Sequence, residues 1–126
     1  MPGIKAKEII EGFESPGYVT TRAILPMLNE AMYLVMEGVA SAEDVDKALR
    51  LGYQFKMGPL EYCDRIGLDK VLNWMEHLFR EMGDVKYRPC PLLRKLVRSG
   101  RLGRRTGQGF FTYEDDRRSD QGGMWR

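Results

Sequence analysis

Histidine occurs once in these 126 residues, at His77, and cysteine twice, at Cys63 and Cys90. The two thiols lie far apart with no metal-ligand spacing around them, which argues against a zinc motif and against a disulfide-stapled secreted domain. Free or buried thiols in a reducing cytoplasm fit better. No apolar run approaches the roughly 18 residues needed to span a bilayer. A basic segment followed by an apolar stretch, the mark of a secretory signal, is missing from the N-terminus. No Gly-x-Gly-x-x-Gly follows a strand pattern, so a dinucleotide site within the chain is not expected. Alternating hydrophobicity, internal repeats and, before the tail, low-complexity tracts are also lacking.

What remains is an ordinary soluble composition, 43% hydrophobic and 30% charged, in a chain of single-domain size. The net charge of +2 conceals an asymmetry. Between Val85 and Tyr113 there are eight basic residues and no acidic one, running from Lys86 and Arg88 to Arg104 and Arg105. Such a stretch suits a phosphate, but it lacks a recognition-helix pattern and a basic–aromatic stacking platform, so nucleic acid is not the expected partner. A solvated helix face followed by a basic turn is the expected reading.

The punctuation predicts an all-α fold, a compact bundle of five to six helices with a glycine-rich, aromatic C-terminal extension. Residues 1–15 read as an extended lead-in. Ser15-Pro16-Gly17 precedes a helix to about Glu37 whose apolar stripe is wider than one face, which predicts a central position. Pro26 inside it predicts a bend, and Gly38 a stop. Ser41 caps the next helix, with Glu43 and Asp44 in its first turn and Val45, Ala48, Leu49 and Leu51 facing inward. Gly52 is expected to end it, and residues 53–57 form a loop. Further helices are expected over about 59–66, 68–82 and 91–99. Val71, Leu72, Trp74, Met75, Leu78, Phe79 and Met82 form the inner face of the longest of these. Gly100 to Gly109 make turns that fold Phe110, Phe111 and Tyr113 back on the bundle, and residues 114–126 form a polar tail.

Few side chains look chemical. His77 shares a face with Lys70, Asn73, Arg80 and Glu81, which places it toward solvent rather than in a site. Glu43, Asp44 and Asp46 read as helix-start and surface acids. Glu61 and Asp64, one turn apart, are expected to bond to backbone or to a basic neighbour. The glycines from 100 to 109 follow a helix rather than a strand, the wrong context for a phosphate loop. No metal site is expected.

Four stretches taken together carry a resemblance. They are Ser15-Pro16-Gly17-Tyr18-Val19 with Arg22; Leu28-Asn29-Glu30-Ala31 followed by Glu37-Gly38-Val39-Ala40 and Asp44-Val45-Asp46; Met57-Gly58-Pro59-Leu60-Glu61 with Asp64 and Gly67-Leu68-Asp69; and Leu102 to Phe111. In this order and spacing they resemble the C-terminal domain of the 3-hydroxyacyl-CoA dehydrogenases, from about Ser15 to Tyr113. The resemblance implies a helical substrate-cleft and dimerisation domain over 16–113, with residues 1–15 as the remnant of an interdomain connection. It places NAD and the catalytic histidine and glutamate in a separate N-terminal Rossmann domain. The whole enzyme would then oxidise an L-3-hydroxyacyl-CoA to the 3-ketoacyl-CoA, and this chain alone would be inactive.

The implied partners are a second copy, the Rossmann domain and the acyl-CoA, with neither nucleic acid nor membrane. The substrate-binding residues it implies are Thr21, Met57, Gly58 and Pro59, with no catalytic, cofactor or metal residue in this chain. Thr21 stands where the family usually has asparagine, and a hydroxyl offers one donor and a shorter reach than a carboxamide. Phe55-Lys56 likewise replaces the usual tyrosine-proline. Two alternatives remain: a stand-alone, non-catalytic interaction or ligand-binding module, and part of a related hydroxyacid dehydrogenase that does not use coenzyme A.

Overall fold

The computed structural model describes the backbone from residue 18 to residue 113 and the side chains from 22 to 113. The lead-in and connection expected over 1–15 and the tail expected over 114–126 lie outside these residues. Five α-helices form the described part: α1 (Tyr18–Met36), α2 (Ala42–Tyr53), α3 (Pro59–Ile66), α4 (Leu68–Met82) and α5 (Pro91–Arg98). Short 3-10 turns, η1 (Val85–Tyr87) and η2 (Arg104–Thr106), flank α5. Among the described residues the β-type pairing consists of isolated bridges, Gly103 with Gln108 and Gln108 with Thr112.

Helix α1 is central, as its wide stripe predicted, and packs against α2, α3, α5 and η1. Its Leu25, Leu28, Ala31 and Met32 meet Leu60, Leu68, Val71, Met75 and Leu93 in one core. Each fully buried aliphatic side chain of this kind contributes roughly 1.5–3 kcal/mol. The short helices α3 and α5, at eight residues each, are too short to hold in water without such packing. Both begin on a proline, whose missing N–H costs nothing in the first turn.

Helix α2 starts as expected, with the Ser41 hydroxyl accepting the Asp44 N–H at 3.1 Å. It continues one residue past Gly52, to Tyr53, and stops where Gln54 adopts a left-handed conformation (φ 58°). Its inner face is narrower than predicted. Val45 is buried and Leu49 half-buried, but Ala48 is exposed and Leu51 is 66% exposed. The reason is rotation: the core side of α2 is set by Val45 and Asp46, which turns Ala48 and Leu51 away. On α4, Val71, Met75 and Leu78 are buried, whereas Trp74 and Met82 are partly exposed at its flank. His77 is exposed, as expected.

Asn29 ties α1 to the loop before α5. This carboxamide is buried; its Nδ2 donates to the Arg88 carbonyl at 2.7 Å and its Oδ1 accepts the Cys90 N–H at 2.9 Å. Asn29→Ala would strand both backbone groups. It is expected to lower unfolding free energy by about 2–4 kcal/mol in urea titration, and a change under 1 kcal/mol would contradict this role.

Candidate functional site

Residues Met57–Pro59 sit at the start of α3, where a helix leaves backbone N–H groups unpaired. Gly58 occupies the capping position and has no side chain to satisfy them. The acceptor comes from α2 instead. Asp46 receives the Leu60 N–H on Oδ1 and the Glu61 N–H on Oδ2, both at 2.8 Å. Asp46 is therefore 5% exposed, a correction to its expected place among the surface acids. A negative charge at a helix N-terminus also meets the positive end of the dipole. Burial pushes the Asp46 carboxyl above the ordinary carboxylate value, while the two N–H donors draw it back. This contact also dictates Gly58: a Cβ there would lie 2.2 Å from the Asp46 Cγ.

The other end of α3 carries a second buried carboxylate. Asp64 accepts N–H bonds from Phe110 at 3.0 Å and Phe111 at 3.1 Å, and the Tyr113 hydroxyl at 2.7 Å. Sequence reading expected such a backbone role for Asp64, though not its partners. Gly103 crosses directly over it, with φ of 116° and an ideal Cβ 2.2 Å from the Asp64 carbonyl oxygen. Desolvation raises the Asp64 carboxyl, opposed by its donors. It also drives the Tyr113 phenol far above its usual value, reinforced by the bond to Asp64. Cys63 beside it is buried, and burial with the neighbouring Asp64 and Asp46 charges keeps its thiol protonated.

The basic stretch is largely solvated, as expected. Arg94 pairs with Glu76 at 2.6 Å and Arg105 with Asp69 at 2.7 Å, while the Arg104 guanidinium lies over the Tyr113 ring. A shallow hollow opens between α2 and the C-terminal extension, lined by Asp46, Lys47, Arg50, Glu61, Phe111 and Tyr113 among others.

A phosphate cradle at Gly103–Gly109 needs amides aimed at the anion. Here the N–H groups of Gly103, Thr106, Gly107 and Gln108 donate to carbonyls within the segment, and that of Gly109 to the Phe111 carbonyl. Those of Phe110 and Phe111 are taken by Asp64. These amides are therefore not presented to a pyrophosphate. No group of three or more His, Cys, Asp or Glu among the described residues could hold a metal. No described helix is long and apolar enough to cross a membrane.

Of the predicted substrate-binding residues, Met57 is half-buried and Gly58 and Pro59 are buried at the α3 start. Thr21 lies in the first turn of α1, and its side chain lies outside the described ones. Asp46 was missed because its neighbours Glu43 and Asp44 made it look like one of a row of helix-start acids. A signal was present: a Gly-Pro helix start needs an acceptor from elsewhere.

An all-helical domain whose short helices are clamped by buried carboxylates is the class that fold and site define. The family described as 3-hydroxyacyl-CoA dehydrogenase, C-terminal domain, matches residues 17–113, and the chain belongs to it. Among curated relatives, a probable 3-hydroxybutyryl-CoA dehydrogenase of Bacillus subtilis is 51% identical over 109 residues, covering 86% of this chain. One of Deinococcus radiodurans is 54% identical over 98 residues, covering 78%. The chain spans 38% and 35% of these relatives' own lengths. The crystal structure of (S)-3-hydroxybutyryl-CoA dehydrogenase from Ralstonia eutropha is also similar. It shows a TM-score of 0.75 at 47% identity, over 79% of this chain and 35% of that one.

The Tyr113–Asp64 bond is expected to set an alkaline limit on stability. Below pH about 10 the phenol is protonated both folded and unfolded. Above it the unfolded chain releases a proton that the folded chain keeps, so stability falls by about 1.4 kcal/mol per pH unit. Tyr113→Phe is expected to cost about 1.5–3 kcal/mol at neutral pH and to flatten this slope in denaturant titrations between pH 9 and about 11. An unchanged slope would show that another group sets it.

Proposed function

We propose that this chain is the substrate-cleft and dimerisation part of an enzyme that oxidises an L-3-hydroxyacyl-CoA to the 3-ketoacyl-CoA with NAD. The observation that carries the proposal is the family match over 17–113, joined to relatives named as 3-hydroxybutyryl-CoA dehydrogenases of which the chain spans about a third. Those names favour a butyryl-length acyl group and a coenzyme A thioester over a free acid. They also favour the enzyme over a stand-alone module.

In this reading NAD and the catalytic histidine and glutamate belong to an N-terminal Rossmann domain, and the redox step takes place there. The present residues supply a stiff wall for the acyl-CoA. Thr21, in the first turn of α1, is the residue that the family resemblance assigns to the reacting end, a threonine where the family usually has asparagine. Met57 offers an adaptable apolar surface to the acyl chain, and the buried Gly58 and Pro59 hold it there under the Asp46 clamp. Self-association draws support from exposed apolar side chains, Leu51 at 66% and Tyr53 at 69%, with Phe55 stacked on Tyr53. Two free, buried thiols suit the reducing cytoplasm.

The intact enzyme is expected to form NADH from L-3-hydroxybutyryl-CoA, and this chain alone to form none. Turnover by the isolated chain, or preference of the intact enzyme for a free hydroxyacid, would refute this assignment. In light scattering the isolated chain is expected to have the mass of a dimer. A monomer at micromolar concentration would move the self-association surface elsewhere.

A further inference from the structure

Two side chains of α1 reach the same short loop from opposite sides of Pro26. On the C-terminal side, Asn29 fixes the Arg88 carbonyl and the Cys90 N–H, with the Lys86 carbonyl at 3.5 Å. On the N-terminal side, the Arg22 Nε–H donates to the Tyr87 hydroxyl at 3.4 Å. Tyr87, in η1, is 2% exposed, and the Lys86 ammonium lies 5.4 Å from its ring centroid. Arg22 and Asn29 are two helical turns apart, roughly 10 Å along the axis.

Pro26 lies inside α1 and has no N–H for the carbonyl four residues back, so the helical ladder misses a rung there. Helices bend most readily at such points. The turn carrying Thr21 therefore lies beyond a weak point; Leu25 and Ile24 pack this side of Pro26 on the core, and a polar tie adds the direction that apolar contact does not set. The loop holding Tyr87 supplies that tie: it is bound to α1 after Pro26 through Asn29 and reaches forward to Arg22. A phenylalanine would fill the same buried space, so the hydroxyl adds the link to Arg22.

We propose that Tyr87 is a positioning residue for the dehydrogenase reaction, holding the first turn of α1, and with it Thr21, in register with the substrate. The proposal rests on the assignment of Thr21 to the cleft. Misplacement of a substrate-orienting group by about 1 Å costs on the order of a hundredfold in rate, and a loosened one less.

The test is a double-mutant cycle in the full-length enzyme with L-3-hydroxybutyryl-CoA, comparing Tyr87→Phe, Thr21→Val and the pair. Tyr87→Phe is expected to lower kcat about tenfold, leaving KM for NAD unchanged and the melting temperature within a few degrees. The pair should be no slower than Thr21→Val alone, because Tyr87 acts through that turn. Independent, multiplying losses would overturn the proposal, as would an unchanged kcat in Tyr87→Phe. If Thr21→Val itself is without effect, Thr21 is not in the cleft, and the reading beneath the proposal falls whatever Tyr87→Phe does.

Discussion

The carboxylate of Asp64 organises the C-terminal third of the described fold. It sits in α3 with almost no exposure and must be satisfied there, since an unpaired buried charge is costly. Two backbone N–H groups and a phenol satisfy it, and all three belong to the extension after α5. That one demand explains several features of the extension. The chain must pass within contact distance of Asp64, so Gly103 and Gly109 cannot carry side chains. It must deliver consecutive amides, which the turn at η2 does. Phe110 and Phe111 then pack on the core beside the carboxylate.

Asp46 and Asn29 apply the same logic elsewhere. Short helices leave a large share of their backbone groups unpaired, and a bundle without a sheet has few regular ways to pair them across elements. Here the pairing is done by buried polar side chains on a neighbouring helix: Asp46 of α2 for the start of α3, Asn29 of α1 for the start of α5. These ties fix the relative placement of elements more narrowly than apolar contact alone, because hydrogen bonds are directional.

The helices were legible from sequence because their ends are written in glycine, proline and capping residues: Ser41, Gly58-Pro59, Gly67 and Gly83 each mark a boundary within a residue or so. The central place of α1 followed from its stripe. Facing direction was less legible. Leu51 and Ala48 were expected inside because apolar spacing was read alone, whereas the rotation of α2 is set by a carboxylate. Long-range polar ties such as Asn29 with Arg88 leave no local pattern at all. Of the candidate site, the residues at the start of α3 were legible as a block through family resemblance, but the acceptor that shapes them was not.

The basic, glycine-rich segment shows how composition and geometry can point in opposite directions. Glycines with arginines suggest an anion site, and loops of this kind bind phosphate when their amides converge on open space. In this chain the amides of the glycine segment donate to carbonyls, and the two that follow, of Phe110 and Phe111, converge on Asp64, so the anion is already present and belongs to the protein. Replacing it with phosphate would require expelling a carboxylate that also holds Tyr113. Of its arginines, Arg105 pairs with Asp69 and Arg104 lies over the Tyr113 ring. The segment therefore works as a latch between α3 and the end of the domain. The latch thus ties α3 to the end of the domain through one buried carboxylate rather than leaving these amides open to an external anion.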